Sequence, residues 1–126
     1  MITKILLVDD EKDFLFFYRE YLKSNGYQTV SFDNPIEALC YLGKNDNISN
    51  CSLIITDYKM PQMSGIDLIK KIKEKYSASK IKTLLISSYL KTDLLKDNPY
   101  FEKINKVIEK PVTSEALKKE VLDLIK

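Results

Sequence analysis

The apolar residues of this chain fall into short continuous runs that polar segments separate. The runs are rich in Ile, Leu and Val, and apolar residues occupy neighbouring positions instead of alternating with polar ones. That pattern is typical of strands buried on both faces of a parallel sheet. It predicts strands at residues 5–8, 29–32, 53–56, 83–86 and 107–108.

Helix signals occupy the segments between these runs. Asn34 precedes a proline, Ser64 stands three residues before Asp67, and a Thr-Ser-Glu stretch covers residues 113–115; all three patterns begin helices. Apolar residues recur every three or four positions in the third and last helices, at Ile66, Ile69, Ile72, Tyr76, Leu117, Val121 and Leu124 or Ile125. Strands that alternate with helices predict an α/β fold, a three-layer (βα)5 architecture around a five-stranded parallel sheet.

The region at residues 90–106 carries the weakest helix pattern. Pro99 interrupts it, because proline lacks the backbone N–H that an inner helical turn needs. We expect two short helical pieces here in place of a continuous fourth helix.

The first helix carries more apolar residues than one face can bury. Residues 14–18 are all large and apolar or aromatic, whereas a helix buries a stripe little more than 100° wide. The stripe that faces inward is predicted to consist of Phe14, Phe17, Tyr18 and Tyr21, which leaves Leu15 and Phe16 outside. Single exposed apolar residues are ordinary; the alternative is a surface that docks a helical partner protein.

Length and composition fit one ordinary globular domain. The chain has 126 residues, of which 44% are hydrophobic and 30% charged, so we expect a single domain over residues 1–126. No apolar run reaches the length of a membrane span, and the first residues suit a strand better than a secretory signal, so a cytoplasmic protein is expected. Cys40 and Cys51 lack metal-type spacing and are expected to be free thiols.

Charge and the missing histidine limit the function classes. The formal net charge is +2, but Arg19 is the only arginine and the lysines are scattered, which favours solvated helix faces over a nucleic-acid surface. We expect no direct binding to nucleic acid or to a membrane. With no histidine, the chain cannot use His as a base, a metal ligand or a phosphocarrier. Its chemistry has to use carboxylates, hydroxyls, lysines and backbone amides.

Polar residues follow four of the five predicted strands at the point where each strand ends. The carboxyl ends of parallel strands meet at one edge of an open sheet, which is where such folds bind ligands. Acidic residues follow the first and third strands, hydroxyls follow the fourth, and a lysine follows the fifth. The positions are Asp9, Asp10, Glu11, Asp57, Ser87, Ser88, Glu109, Lys110 and Pro111.

Each of these residues also has an ordinary structural explanation. Asp9 or Asp10 suits the N-cap of the helix that begins near Glu11, the serine pair suits a turn, and the Lys-Pro pair suits a strand exit. Together they indicate a site that binds a metal ion. Converging carboxylates repel one another unless a divalent cation and an ammonium lie nearby. Mg²⁺ fits best, with Mn²⁺ as the alternative ion. Asp57 can then accept a phosphoryl group as a nucleophile.

Four stretches together resemble a known family. They are V-D-D at residues 8–10, D-Y-K-M-P-Q-M-S-G at residues 57–65, S-S at residues 87–88 and K-P at residues 110–111. Their order and spacing resemble the receiver domain of bacterial two-component response regulators, with a chemotaxis-regulator-like fold. The resemblance implies a doubly wound, flavodoxin-like sheet in the order 2-1-3-4-5. It also implies phosphorelay signalling, in which the domain catalyses its own phosphorylation and autodephosphorylation and switches a partner or output domain.

The resemblance assigns the acidic residues to a phosphoacceptor and its metal. Asp57 is expected to accept the phosphoryl group from a phosphohistidine on a histidine kinase or a histidine phosphotransfer protein. Asp10, Asp57 and the main-chain carbonyl of Lys59 are expected to bind Mg²⁺, and Asp9 to orient a metal-bound water.

The same resemblance assigns further residues to the phosphoryl group. Lys110 is expected to contact it, with a cis peptide bond to the proline that follows. The Ser87 hydroxyl is expected to swing in and hydrogen-bond it, and the Ser88 amide to donate as well. Lys59 and Tyr89 match positions at the rim of the family's site that tune how long the phosphoryl group survives.

Val107 departs from the family pattern. Receivers usually carry Tyr or Phe three residues before the lysine, and its inward swing accompanies the movement of the serine; here that residue is Val107. The usual switch coupling is therefore in question. Val107 favours the main alternative, a pseudo-receiver that acts as a phosphorylation-independent interaction module, whereas the retained Asp57, Ser87 and Lys110 oppose it.

Two other protein classes fit the sequence less well. An aspartyl-phosphate phosphatase needs its nucleophile after the first strand and a second aspartate two residues later, where this chain has Glu11. A flavin-binding protein of this fold needs a loop rich in hydroxyls and glycine after the first strand. The three acids found there repel a phosphate.

Overall fold

The fold alternates strands and helices in the order that the hydrophobic runs predict. The computed structural model of the protein describes residues 4–88 and 97–125. The strands are β1 (Lys4–Val8), β2 (Gln28–Phe32), β3 (Cys51–Asp57), β4 (Lys82–Ser87) and β5 (Lys106–Glu109). The α-helices of these ranges are α1 (Lys12–Ser24), α2 (Pro35–Leu42), α3 (Gly65–Lys75) and α4 (Ser114–Ile125). Short 3-10 helices lie at Asn47–Asn50 and Phe101–Lys103.

The five strands form one parallel sheet in the order β2-β1-β3-β4-β5. This confirms the flavodoxin-like order. Val8 at the end of β1 pairs with Thr56, and the next residue of β3, Asp57, pairs with Ile86 of β4. The carboxyl ends of these three strands therefore lie level. β2 lies on one side of β1 and β3 lies on the other. The connections that leave β1 and β3 therefore diverge, and a crevice remains between them at this edge of the sheet.

The core has two sides because successive strand residues point to opposite faces of the sheet. On one face, Ile5 and Leu7 of β1 pack with buried residues of α1 and α4. On the other face, Leu6 and Val8 pack with buried residues of α2 and α3. Burial on both faces explains why β1, β3 and β4 appear in the sequence as continuous apolar runs.

Side chains cap three helices at the predicted starts. The backbone N–H of Ile36 donates to Oδ1 of Asn34 (2.8 Å), and that of Asp67 donates to Oγ of Ser64 (3.1 Å). The N–H of Ala116 donates to Oγ1 of Thr113 at 3.1 Å. Each bond satisfies a donor that the first helical turn leaves without a partner.

The packing of α1 corrects the predicted inward stripe. Leu15 is buried, together with Tyr18 and Leu22, whereas Phe17 is 36% exposed. The spacing of three and four residues between Leu15, Tyr18 and Leu22 places them on one helical face, and this face lies against the sheet. The predictions for Leu15 and Phe17 were therefore wrong. The prediction for Phe16 is confirmed, because this residue is 57% exposed.

Part of the predicted fourth helix lies outside the described residues. Tyr89 and the segment 90–96 belong to that part of the sequence. After it, Pro99 precedes the 3-10 helix at Phe101–Lys103. The backbone N–H of Phe101 donates to the carbonyl of Asn98 and that of Lys103 to the carbonyl of Tyr100, both at 3.0 Å. The chain then enters β5.

Cys40 is exposed and Cys51 is buried, and both are free, as predicted. Within residues 4–88 and 97–125, no helix combines the length and the apolar composition that a membrane crossing requires. The cytoplasmic location stays a prediction.

Candidate functional site

Three aspartates converge at the carboxyl edge of the sheet. Asp9 and Asp10 follow β1 directly, and Asp57 is the last residue of β3. One carboxylate oxygen from each residue lies within 4.8 Å of the other two. Asp9 and Asp57 are buried, with 1% and 7% of their surface exposed, whereas Asp10 is half-buried. The adjacency that the sequence predicts for these carboxylates is therefore present.

Lys110 supplies the positive charge beside this cluster. Its Nζ lies 3.2 Å from Oδ2 of Asp9, 3.4 Å from Oδ1 of Asp57 and 3.5 Å from Oε1 of Glu11. The lysine side chain is 5% exposed, so water screens the pairs with the two buried aspartates little. The peptide bond between Lys110 and the following proline is cis, as predicted.

Burial and crowding change the pKa values of the cluster. Loss of water around Asp57 is the main cause that raises its pKa from 3.8 to about 6; the charge of Asp9 adds to this, and Lys110 opposes it. Burial also raises the pKa of Asp9. Burial lowers the pKa of Lys110, but Asp9 and Asp57 outweigh this effect and leave it above its usual value. The cluster therefore favours an additional positive charge.

Backbone amides hold the two buried carboxylates in place. The N–H of Tyr58 donates to Oδ1 of Asp57, and the N–H of Glu11 donates to Oδ1 of Asp9, both at 2.9 Å. The bond to Asp9 precedes α1, whose N-cap is Glu11. Asp9 therefore organises the turn after β1 and does not cap the helix.

Asp10 and Asp57 open onto a cleft with a volume of about 490 Å³. Its lining residues are Asp10, Glu11, Asp57, Lys59, Met60, Pro61, Ser88 and Lys110. A phosphoryl group is much smaller than this volume. The cleft gives Asp57 access from solvent although most of its surface is buried.

The remaining predicted phosphate residues lie at different depths. Ser87 ends β4 and is fully buried, and its carbonyl accepts a hydrogen bond from the N–H of Lys110 at 3.0 Å. Ser88 and Lys59 are exposed at the cleft. The structure thus brings Ser88, Lys59 and Lys110 to the rim or wall of the cleft, and leaves Ser87 below it.

The sequence predicts that Phe14 and Tyr18 face inward from α1, but it did not reveal that they lie at Lys110. The Phe14 ring centroid lies 4.1 Å from Nζ of Lys110, and the Tyr18 ring stacks against Phe14 at 6.2 Å. Burial raises the pKa of Tyr18, and the charges of Asp9 and Asp57 raise it further. A weak signal was available, because Phe14 lies in the first turn of α1, three residues after Glu11.

Val107 occupies the position where the family usually has an aromatic residue. It is half-buried in β5 and pairs with Leu85 of β4. It packs beside a cluster that contains Ile104, with Tyr100 and Phe101 against the same cluster. The described aromatic side chains at this cluster therefore come from Tyr58 after β3 and from the segment before β5, instead of from β5 itself.

A sequence profile of the response regulator receiver domain matches residues 5–122. The chain belongs to this family. The receiver is 37% identical over 84 residues to the two-component response regulator ORR11 of Oryza sativa subsp. indica, covering 67% of this chain and 55% of that protein. It is 34% identical over 92 residues to the two-component response regulator ARR17 of Arabidopsis thaliana, covering 67% of this chain and 60% of that protein. The matches thus span between half and two thirds of these relatives.

Solved structures agree with this assignment. A response regulator receiver domain protein from Clostridium thermocellum superposes with a TM-score of 0.84 at 26% identity, covering 98% of this receiver and 94% of that chain. The response regulator protein TrrA from Thermotoga maritima, in complex with Mg²⁺-BeF, gives a TM-score of 0.80 at 27% identity and covers 98% and 99%.

These findings confirm the family and the fold class, and the curated relatives are named two-component response regulators. Receiver domains of response regulators are phosphorylated by histidine kinases or phosphotransfer proteins, and they bind Mg²⁺ at an acidic pocket. The described residues of this receiver contain such an acidic cluster. A phosphorylation-independent interaction module is not favoured.

Proposed function

We propose that this receiver, over residues 1–126, accepts a phosphoryl group on Asp57 from a phosphohistidine of a histidine kinase or a histidine phosphotransfer protein. A carboxylate oxygen of Asp57 attacks phosphorus, a P–O bond forms while the P–N bond breaks, and the bonding pair returns to the imidazole nitrogen. The observation that carries this proposal is the placement of Asp57 at the cleft, within 4.8 Å of the other two aspartates and 3.4 Å from Lys110.

The donor set fits a hard divalent cation. The clustered ligand atoms are all carboxylate oxygens, which Mg²⁺ prefers. Asp10, Asp57 and the carbonyl of Lys59 would hold the ion, and Asp9 would act through a water. When bound, Mg²⁺ supplies positive charge to the transferring phosphoryl oxygens. Mn²⁺ has the same kind of ligands and stays an alternative to be tested.

Lys110 and the serines suit the oxygens of the phosphoryl group. Lys110 already lies beside Asp57, so its ammonium can follow negative charge that moves from the carboxylate to the phosphoryl oxygens. Ser88 and Lys59 line the cleft and suit the outer oxygens. Ser87 has to change its side-chain position to reach the cleft, since it is fully buried. That movement is the conformational switch we propose for signalling to a partner or an output domain.

The exposed ring of Phe16 suits the docking of the phosphodonor. It lies on α1, six residues after Asp10, and the guanidinium of Arg19 lies 5.3 Å from its ring centroid. Its side chain is the most exposed of the large hydrophobic residues in the described ranges. Leu15, which the sequence placed beside it, is buried and takes no part.

The direct test is intact-mass spectrometry after incubation with acetyl phosphate and Mg²⁺. We expect wild type to gain the mass of one phosphoryl group, and Asp57→Asn or a metal-free sample to gain none. The same gain in Asp57→Asn would reject Asp57 as the acceptor. No gain with acetyl phosphate or with a phosphohistidine donor protein, in a sample that binds Mg²⁺, would reject the function.

A further inference from the structure

The ammonium of Lys110 lies over the face of an aromatic ring. Its Nζ is 4.1 Å from the ring centroid of Phe14. A cation within about 6 Å of a ring centroid is attracted by the negative face of the π system, most strongly where water is excluded. Lys110 is 5% exposed, so this contact meets that condition.

Phe14 is held in position by its own neighbours. It is half-buried on the first turn of α1 and packs against the core beneath the helix. Its ring stacks with Tyr18 at 6.2 Å between centroids and 23° between planes, and Tyr18 is 2% exposed. Packing therefore fixes the Phe14 ring that faces the ammonium, and the ring itself has little conformational freedom.

Lys110 needs such a support because three carboxylates compete for it. Asp9, Asp57 and Glu11 all lie within 3.5 Å of its Nζ. A lysine carries its charge at the end of a flexible stem and adopts whichever partner its surroundings favour. Glu11 is 59% exposed, so pairing with it would draw the ammonium away from Asp57 and toward solvent.

We propose that Phe14 is a positioning residue, which holds the Lys110 ammonium beside Asp57 through a cation–π contact. The inference rests on the proposed phosphorylation of Asp57 and adds a residue to it. The ring occupies one side of the ammonium, so the N–H bonds that remain are directed to the buried aspartates. Phosphorylation then starts with the Lys110 ammonium already next to the attacking carboxylate of Asp57. This lowers the activation free energy, because the ammonium does not have to be brought into place in the transition state.

The decisive experiment replaces Phe14 by 4-fluoro-, 3,5-difluoro- and 3,4,5-trifluorophenylalanine. These rings keep nearly the same shape, while each fluorine weakens the negative face. With acetyl phosphate and Mg²⁺, we expect the limiting phosphorylation rate to fall stepwise, by about fivefold over the series, while the donor concentration at half-maximal rate stays constant. Equal rates across a correctly folded series would overturn the proposal.

Ordinary substitutions provide a matched control. Phe14→Leu removes the ring face and should slow phosphorylation about fivefold. Phe14→Tyr keeps an aromatic ring at this position and should phosphorylate at the wild-type rate. Phe17→Leu makes the same change on the same helix, at a ring that contacts Tyr18 and Tyr21. It leaves the stacking of Phe14 on Tyr18 in place and should leave the rate unchanged. A slow Phe14→Leu variant combined with a flat fluorine series would assign the effect to shape and overturn the π contact.

A spectroscopic signature separates this inference from the proposed function. The ring current of Phe14 should shift the Cε protons of Lys110 upfield in the NMR spectrum without metal or donor, with the resonance assigned by Lys110→Arg. We expect the shift to be lost in Phe14→Leu and kept in Phe17→Leu. A receiver that shows the shift but gains no phosphoryl group would refute the function alone. Absence of the shift in an active receiver would refute the contact alone.

Discussion

Gly65 lies so close to Asp57 that a single methyl group at this glycine has no room. A Cβ added to Gly65 would lie 2.0 Å from the carbonyl oxygen of Asp57 and 2.8 Å from Cδ1 of Leu85. The N–H of Gly65 also donates to the carbonyl of Tyr58 at 2.7 Å. The first residue of α3 therefore packs directly against the backbone that carries the proposed acceptor.

Gly65→Ala should consequently distort the loop and destabilise the protein. The clash is with a backbone atom, which a side-chain rotation cannot relieve, so we expect the free energy of unfolding to fall by about 2 kcal/mol. Urea unfolding measures this directly. Gly43→Ala is the matched control, since its added Cβ would meet its nearest atom, the hydroxyl of Tyr76, at 3.4 Å. Equal stability of the two variants would contradict the close-approach argument.

Asp57→Asn should stabilise the metal-free protein near neutral pH. The folded-state pKa of Asp57 is about 6, above its usual 3.8, so the folded protein binds this proton more tightly than the unfolded chain does. The protonated Asp57 carboxyl therefore adds to the free energy of unfolding below about pH 4, and this stabilisation is lost as the pH rises through about 6. We expect the variant to gain about 3 kcal/mol over wild type at pH 7.5 and little at pH 3.5.

Urea unfolding at both pH values, with a chelator present, checks this dependence. Asp123→Asn on the exposed side of α4 serves as the control, because it removes a carboxylate from a surface position. A stabilisation of Asp57→Asn that is equal at both pH values would contradict the linkage to this carboxyl.

Mg²⁺ should raise the melting temperature of wild type. A ligand that binds only the folded state raises the free energy of unfolding by RT ln(1 + [L]/Kd). This is about 2.7 kcal/mol when the ligand concentration is 100 times Kd. Asp10→Asn and Asp57→Asn should lose most of this gain, because each removes a proposed ligand. Differential scanning fluorimetry with MgCl2, MnCl2 and NaCl at equal ionic strength separates metal binding from screening. An identical gain in all three salts would argue against a metal site.

Phe16→Ala should slow phosphoryl transfer from a phosphohistidine protein while the reaction with acetyl phosphate keeps its rate. Only the protein donor needs a docking surface, and loss of a large exposed aromatic contact there corresponds to roughly a tenfold loss in transfer efficiency. Ile36→Ala on α2 is the control, since Ile36 is similarly exposed at 42%. Equal slowing of both reactions would show that Phe16 affects the site and not the docking of the donor.

The sheet could be predicted from the sequence because its strands are buried on both faces. Ile5 to Val8 of β1 each have 1% of their surface exposed or less, and such burial leaves a short continuous apolar run. Its short length and its β-branched residues distinguish this run from a buried helix. The site followed from the sheet, since parallel strands bring their carboxyl ends to one edge. Asp9, Asp57 and Lys110 could thus be placed together without any knowledge of distances.

The orientation of α1 could not be predicted as reliably. Five consecutive large residues allow more than one inward stripe, and only packing against the sheet decides that Leu15 is buried and Phe17 is partly exposed. The Lys110–Phe14 contact was missed for a related reason. It joins residues 96 positions apart through side-chain directions, which hydrophobic periodicity does not encode.

The measurement that tests the central claim most directly locates the phosphoryl group in the chain. The receiver is phosphorylated with a phosphohistidine donor protein in the presence of Mg²⁺, reduced with borohydride, which converts an aspartyl phosphate to homoserine, and mapped by peptide mass spectrometry. We predict homoserine at position 57 alone, and none when Mg²⁺ is omitted. Homoserine at Asp9 or Asp10, or a phosphorylated receiver with an unmodified Asp57, would contradict the account.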